Sequence, residues 1–271
     1  MDRMRPEARL TIAVFGLGEA GSLIAGDLAA AGATVRAFDP APVPTPPGVT
    51  RVDTPGDAIP GAQAIMAITA AADAHTAMDQ GWDRLEPPVV YADLATGPPG
   101  LKEELANTAA AKDASFADVA LMAPVPGRGL STPALVSGTG ATRYAAVING
   151  LGGQVEVVGD EAGQAAARKL MRSVVTKGLT ALLIEALELA AAAGDEDWLW
   201  GHITDELASL DVPTLTRLLD GTARHAGRRQ AEMEAVRDLL DEMGVPAPMT
   251  TGTISALRRV SEDGMPDRTS L

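Results

Sequence analysis

The chain has 271 residues, 46% hydrophobic and only 3% aromatic, with a formal net charge of −14. That length holds two domains or one large one, with a sizeable core built from Ala, Leu, Val, Ile and Met rather than from rings. An acidic surface disfavours nucleic acid and anionic membranes as partners, although a local basic pocket still admits an anionic substrate. No cysteine is present, which excludes disulfides, thiolate metal sites and cysteine catalysis. His75, His202 and His225 stand far apart without ligand spacing, so no metal site is expected. The opening MDRMRPEARL is charged and lacks the apolar core of a secretory signal. No apolar run reaches membrane-spanning length. The expectation is a soluble cytoplasmic protein without internal repeats.

In chain order, the apolar run TIAVF predicts a strand over Thr11–Phe15. A turn follows, Gly16-Leu17-Gly18-Glu19-Ala20-Gly21, then an alanine-rich helix to residue 31 and a second strand, Thr34–Phe38, ending on Asp39. A lone G-x-G-x-x-G is weak. One that leaves a strand, opens a helix and meets an acid about 20 residues on is a dinucleotide fingerprint. Gly16 allows the tight turn, Gly18 lets the backbone approach a pyrophosphate, and Gly21 lets the helix pack on the sheet. The helix N-terminus offers free N–H groups to phosphate. Asp39 accepts from ribose hydroxyls and repels a ribose phosphate, so NAD is expected over NADP, with Arg36 or a loop residue as the route by which a phosphate could still be admitted.

The proline-rich stretch after Asp39, residues 40–49, reads as a surface loop. Residues 57–62 read as a connector or weak helix. Continuous apolar runs predict parallel strands over 64–69 and 89–94. Thr69 and residues 70–74 fall at the carboxyl end of the first, where ligands bind in open α/β sheets, and Thr96 and Gly97 fall where a nicotinamide would lie. Thr96 has a competing role as N-cap of the helix over 101–111. Strands over 115–122, carrying Asp118, and 134–137, a helix over 142–151 and an edge strand over 155–158 complete this part. Helices dominate afterwards: one long run over 163–193, then 195–210, 212–219, 227–243 and 253–260. The expected fold is an α/β Rossmann-type domain over residues 1–160, then an all-α domain over 161–271, entered by a long interdomain helix.

The layout, with VVYADLATGPP, FADVALMAPVPGRG, VEVVGDEAGQAAARKL and GVPAP, resembles the β-hydroxyacid dehydrogenases related to 6-phosphogluconate dehydrogenase. LMAPVP, RKLMRSVVTKGLTALL and RHAGRRQAEMEAV resemble a bacterial branch with its own C-terminal domain. The resemblance implies NAD(P)-dependent hydride transfer between nicotinamide and a hydroxy acid or keto acid. It also implies a homodimer formed through the helical domain and an active site in the interdomain cleft. Lys169 matches the family's catalytic lysine, whose ammonium stabilises a developing alkoxide and donates a proton in the reductive direction; burial would lower its pKa. Without the resemblance it reads as a solvated helix lysine.

The chain also departs from that pattern. Ser173 replaces an asparagine one turn after the lysine. Met122-Ala123-Pro124 replaces a serine-glycine-glycine loop that would hold a carboxylate, which points to a bulkier or less polar substrate. Ala20 replaces a methionine in the glycine turn. Lys177 lies about 80° around the helix from Lys169 and borders the same cleft or the helix surface. His225, Arg228 and Arg229 form a basic cluster suited to a substrate carboxylate or phosphate, or to ion pairs with Glu232 or Glu234 at helical spacing. Trp198 and Trp200 read as domain core or dimer contact. Two alternatives stand beside the dehydrogenase: C=N reduction, as in imine reductases of the same architecture, and a non-catalytic dinucleotide-binding protein. The lysine argues against the first, since imine chemistry needs a proton donor but no alkoxide-stabilising cation, and those relatives usually carry another residue there.

Overall fold

The computed structural model describes residues 9–80, 84 and 88–265. Apart from Arg9 and Leu10, the charged opening segment lies outside them. The chain divides into two compact units, residues 1–172 and 173–271.

The first unit is one eight-stranded sheet ordered β3-β2-β1-β4-β5-β6-β7-β8. Its strands are β1 (Thr11–Phe15), β2 (Thr34–Phe38), β3 (Val49–Arg51), β4 (Ala64–Ala67), β5 (Val90–Asp93), β6 (Ser115–Leu121), β7 (Pro133–Ser137) and β8 (Gln154–Val157). All neighbours pair parallel except β6 and β7, which run antiparallel with Asp118 opposite Ser137. Burial on both faces explains the unbroken apolar runs. Along β1, Ile12 and Val14 join the core that includes Ile24 and Leu28 of α1 (Glu19–Ala30) and Tyr144 and Ile148 of α5 (Ala141–Gly150). Ala13 and Phe15 face the other core, with Met78 of α3 (Ala74–Asp79) and Leu105 of α4 (Pro99–Ala110). With so few rings in the chain, Tyr91 and Phe116 stack in that second core at 6.4 Å. Because β1 lies between β2 and β4, the strand order reverses there, and a crevice opens beyond the carboxyl ends of β1 and β4.

Three local readings change. Val49, expected in the loop, begins the edge strand β3, which pairs with β2 through Val35, Arg36 and Ala37. The weak helix expected at 57–62 begins earlier, as α2 (Pro55–Ala58) with Pro at its start. Past the fourth strand the chain forms a 3-10 turn, Ala71–Asp73, and then α3, which is too short to show a helical period in sequence.

The long helix α6 (Gln164–Ala193) begins in the first unit and continues into the second. The second unit adds α7 (Glu196–Ala208), α8 (Val212–Glu242) and α9 (Pro248–Asp263). The helices expected over 212–219 and 227–243 run together as α8, broken only at His225 (φ −131, ψ 25). Arg229 braces that break by donating to Leu218 O at 3.3 Å and to Thr222 Oγ1. Gly221, between the two expected helices, is buried, and its bare Cα leaves room for the Arg229 guanidinium. Glu185, buried on α6, accepts from Met249 N–H at 2.7 Å, Thr250 N–H at 2.8 Å and Thr250 Oγ1 at 2.6 Å, closing the first turn of α9. Burial alone would raise its pKa; these hydrogen bonds outweigh burial and lower it. Trp198 and Trp200 are not core: they are 66% and 57% exposed, and Trp198 stacks on His202 at 5.5 Å.

Candidate active site

At the carboxyl end of β1, Gly16 adopts φ +98, and a Cβ there would lie 2.3 Å from Ile68 O. A Cβ on Gly21 would lie 2.1 Å from Gly16 O. Both positions therefore demand glycine on steric grounds alone. Gly18 differs: it sits at the N-cap of α1 with φ −62 and nothing within 4 Å of where its Cβ would stand. No side chain caps this helix, so its first N–H groups, from Glu19 and Ala20 onward, stand ready for an anion.

Gly16, Gly18, Asp39, Thr69 and Asp73 line a cavity of about 330 Å³ at the strand-order reversal. Asp39 Oδ2 accepts from Leu17 N–H at 2.6 Å and Oδ1 from Ala41 N–H at 2.8 Å. The carboxylate is thereby held against the glycine turn with acceptor capacity left on both oxygens. Thr69 Oγ1 is buried without a hydrogen-bond partner. An orphaned hydroxyl, an open Gly18 and an uncapped helix end around one cavity fit a dinucleotide. Arg36 does not face this role, since it donates to Pro60 O. Arg51 holds the loop after Asp39, donating to Val43 O at 2.6 Å and to Asp39 O at 2.7 Å.

The second half of the site forms where β5 and β6 end. Helix α4 starts with Pro98 at its N-cap, so Thr96 is not the cap. Thr96 Oγ1 instead accepts from Lys169 Nζ at 2.8 Å. Thr96, Gly97, Asp118, Val119, Ala166 and Lys169 line one hollow. Lys169 is placed by the start of α6. There Asp118 Oδ2 accepts from Gly163 N–H at 3.1 Å and Ala166 N–H at 2.9 Å, and Ser137 Oγ accepts from Ala165 N–H at 3.0 Å. Ser137 also donates to Asp118 Oδ2 at 3.2 Å. Two facing residues of the antiparallel β6–β7 pair thus satisfy the N–H groups of Gly163, Ala165 and Ala166 at this helix end, which would otherwise be orphaned. Burial lowers the Lys169 pKa, the Lys102 and Arg172 charges lower it further, and Asp118 opposes them.

Sequence reasoning missed the group beneath that hollow. Asp93, Lys102 and Asp118 are 0%, 1% and 0% exposed. Lys102 Nζ donates to Asp93 Oδ2 and, at 2.7 Å, to Ala95 O, and stands 3.6 Å from Asp118 Oδ1. Burial raises the Asp93 pKa, while the Lys102 charge and hydrogen bond pull it back. A signal was available: Lys102, Leu105 and Ala109 fall at helical spacing, which puts the lysine on the buried stripe of α4.

The remaining candidates do not line that hollow. Met122 follows β6, and its N–H donates to Pro133 O at 2.8 Å. Its side chain joins a hollow with Pro133, Asn149 and Val155, apart from the one that Lys169 lines. Ser173, Lys177, His225 and Arg228 belong to the second unit. Lys177 and His225 are exposed. Arg228 pairs with Glu232 at 3.5 Å, the helical ion pair expected as the alternative for this cluster. Among the described residues no group of three or more His, Cys, Asp or Glu could hold a metal ion, and no helix is long and apolar enough to cross a membrane.

Residues 11–141 match the NAD binding domain of 6-phosphogluconate dehydrogenase, and residues 190–260 match a domain of unknown function, DUF1932. No curated protein matches the chain in sequence. Among solved structures, a conserved hypothetical protein from Sinorhizobium meliloti 1021 is 30% identical over 98% of this chain and 92% of its own, with a TM-score of 0.62. An imine reductase variant from Myxococcus stipitatus, in complex with NAD+, is 19% identical over 95% of both chains, with a TM-score of 0.79. A conserved protein of unknown function described as structurally similar to 3-hydroxyacid dehydrogenases is 24% identical over 93% of this chain and 97% of its own, at 0.60.

Proposed function

The chain belongs to the family of the Sinorhizobium meliloti protein, within the NAD(P)-binding oxidoreductases related to 6-phosphogluconate and 3-hydroxyacid dehydrogenases, and on that premise we propose that it reduces a C=N bond of a largely apolar substrate. The observation that carries the reading is the Lys169–Thr96 contact at 2.8 Å, beyond the carboxyl end of β5, which offers a proton donor to complement the hydride of a bound nicotinamide. Gly16, Gly18, Asp39 and Thr69 would hold the dinucleotide, and the Asp39 carboxylate favours NAD over NADP. When bound, the reduced nicotinamide supplies a hydride. Lys169 supplies the proton, so that C=N gains one hydride at carbon and one proton at nitrogen. Thr96 orients the ammonium, and Asp118 balances its charge.

Two observations favour C=N. The likeness to imine reductases spans nearly the whole chain. The loop after β6 is Met122-Ala123-Pro124, which carries no hydroxyl or glycine with which to grip a substrate carboxylate. The lowered pKa of Lys169 also answers the objection that a lysine suits only alkoxide chemistry: an ammonium that gives up its proton more readily than usual is an effective donor to nitrogen. Lys169 itself favours the second reading, oxidation of a hydroxy acid or reduction of its keto acid. A homodimer through the helical unit agrees with the large apolar side chains exposed there, among them Val174, Val175, Ile184, Trp198 and Trp200.

The test is nicotinamide absorbance during turnover, with cyclic imines and keto acids against NADH and NADPH, and amines and hydroxy acids against the oxidised cofactors. Imine turnover that collapses in Lys169→Ala supports the first reading. Turnover of keto or hydroxy acids alone moves the assignment to the second. Cofactor binding without turnover of any class, unchanged in Lys169→Ala, sinks both and leaves a dinucleotide-binding protein.

A further inference from the structure

A buried ion pair is weak evidence of stability, because a well-packed apolar side chain commonly does as well in its place. Lys102 therefore calls for an explanation from what it touches. Its side chain leaves α4 and ends among Asp93, Ala95 and Asp118. Ala95 immediately precedes Thr96, so the bond from Nζ to Ala95 O fixes the backbone that presents the Thr96 hydroxyl. Asp118 holds the N–H groups of Gly163 and Ala166, and so the turn of α6 that leads to Lys169. We propose that Lys102 is a positioning residue for the Thr96–Lys169 pair, joining the two elements that carry its partners through one buried cation.

A second consequence is electrostatic. The groups that act on Lys169 are Lys102 from α4, Asp118 from β6 and Arg172 from α6 itself. Arg172 is exposed and screened by solvent. Lys102 and Asp118 are not. The buried cation opposes protonation of Lys169 and the buried carboxylate favours it, so Lys102 tips the donor toward releasing its proton. A sheath of apolar residues could hold the same backbone but would not supply this charge. The catalytic side of the inference rests on Lys169 being the proton donor, and the experiment separates the two.

The chain has only four lysines, Lys102, Lys112, Lys169 and Lys177. Reductive methylation of the full-length protein with 13C-formaldehyde labels the accessible ones, and Lys169→Arg assigns the Lys169 resonance. Its chemical shift against pH then reads its proton affinity with neither cofactor nor turnover. The variants are Lys102→Met, which keeps the length of the side chain, and Lys102→Met/Asp93→Asn, which also removes the carboxylate left unpaired. The expected result is a Lys169 midpoint below the ordinary lysine range in the wild type. It should rise by about one unit in Lys102→Met, the lower end of what one neighbouring charge does, and by less in the double variant, which also loses a carboxylate. The high-pH limb of the kcat profile for reduction should move up by the same amount, with KM for NADH unchanged. A wild-type midpoint in the ordinary range overturns the inference, and that measurement needs no variant to fold. So does an unmoved midpoint in the double variant. A coupled Lys169 that tolerates replacement by alanine without loss of turnover overturns the catalytic reading of Lys169, and with it the positioning role, while the titration stands.

Discussion

Gly18→Ala separates folding from cofactor binding. Gly18 has ordinary extended dihedrals, φ −62 and ψ −168, and open space where a Cβ would stand. The methyl therefore fits the folded chain, and the lower freedom of the unfolded chain stabilises by about 0.4–1 kcal/mol. Alanine is a poorer N-cap than glycine by a comparable ~0.5 kcal/mol. The two nearly cancel, and at about 2–4 °C per kcal/mol the melting temperature should move by no more than ~4 °C. Binding should respond differently. Gly18 lines the cavity with Gly16, Asp39 and Thr69, so an added methyl should crowd a pyrophosphate at the first N–H groups of α1. Hydrogen bonds to a charged group are worth about 1.5–3 kcal/mol each. Losing one or two costs about 3 kcal/mol, a weakening of more than a hundredfold at about 1.4 kcal/mol per decade. Thermal unfolding and NADH titration calorimetry on the same preparations measure both quantities. Gly21→Ala is the contrast: its Cβ would meet Gly16 O at 2.1 Å, so stability and binding should fall together. Wild-type affinity in Gly18→Ala refutes the assignment of this turn to the phosphates, and a melting temperature lower by ~10 °C refutes the reading that the methyl fits the folded chain.

Lys169→Ala should lower kcat by about 10²–10⁴, the range for a positioned proton donor, with the calorimetric Kd for NADH unchanged. Because the Lys169 pKa is lowered from 10.5, reduction by the wild type should fade as pH rises through a midpoint below that value, and oxidation should gain over the same interval. Product inhibition distinguishes the substrate classes: protonated Lys169 repels an amine cation and attracts a carboxylate. Inhibition by amines should therefore strengthen as Lys169 deprotonates, whereas inhibition by hydroxy acids should weaken; initial-rate measurements across that interval give the sign. In the helical unit, the Glu185 pKa is depressed, so its contribution is present above the unfolded value of about 4.3 and lost as pH falls through the lower folded value. Glu185→Gln should lower the melting temperature at pH 7 and narrow its gap to wild type below about pH 4, as read by circular dichroism.

What the sequence made legible were features in which one residue type does one local job. Gly16 and Gly21 are required by sterics within the turn, and Asp39 ends the strand that follows, so fingerprint and acid lie close together in the chain. The parallel strands carry both faces in one apolar run, and the change to all-helical pattern marks the second part. Where tertiary contact decides, pattern reading went astray. The helix expected over 212–219 ends before Gly221, yet Gly221 is buried beside Arg229 and the helix continues to a break at His225. Val49–Arg51 is too short to read against the prolines before it, and it is a strand because the edge of β2 is there to pair with. Trp198 and Trp200 read as domain core or dimer contact, and their exposure removes the first of these.

The site shows the same division more sharply. Lys169 came from resemblance, and its partner Thr96 lies 73 residues earlier; no spacing rule connects them. Lys102 was hidden by its neighbours. In LKEELA it reads as one charge among three at an exposed helix start, and only its register with Leu105 and Ala109 sets it inside. Once there, a cation requires carboxylates, and Asp93 and Asp118 stand on adjacent strands at matching register to provide them. That register gives the arrangement its use. Asp93 ends β5, just before Thr96, and Asp118 lies within β6, where it holds the start of α6. A charge buried at this point reaches Lys169 through both. A lysine with a lowered pKa gives its proton to a weakly basic imine more readily than one with an ordinary pKa. One beside a buried cation, tethered through Thr96 and balanced by Asp118, has a reason to release it.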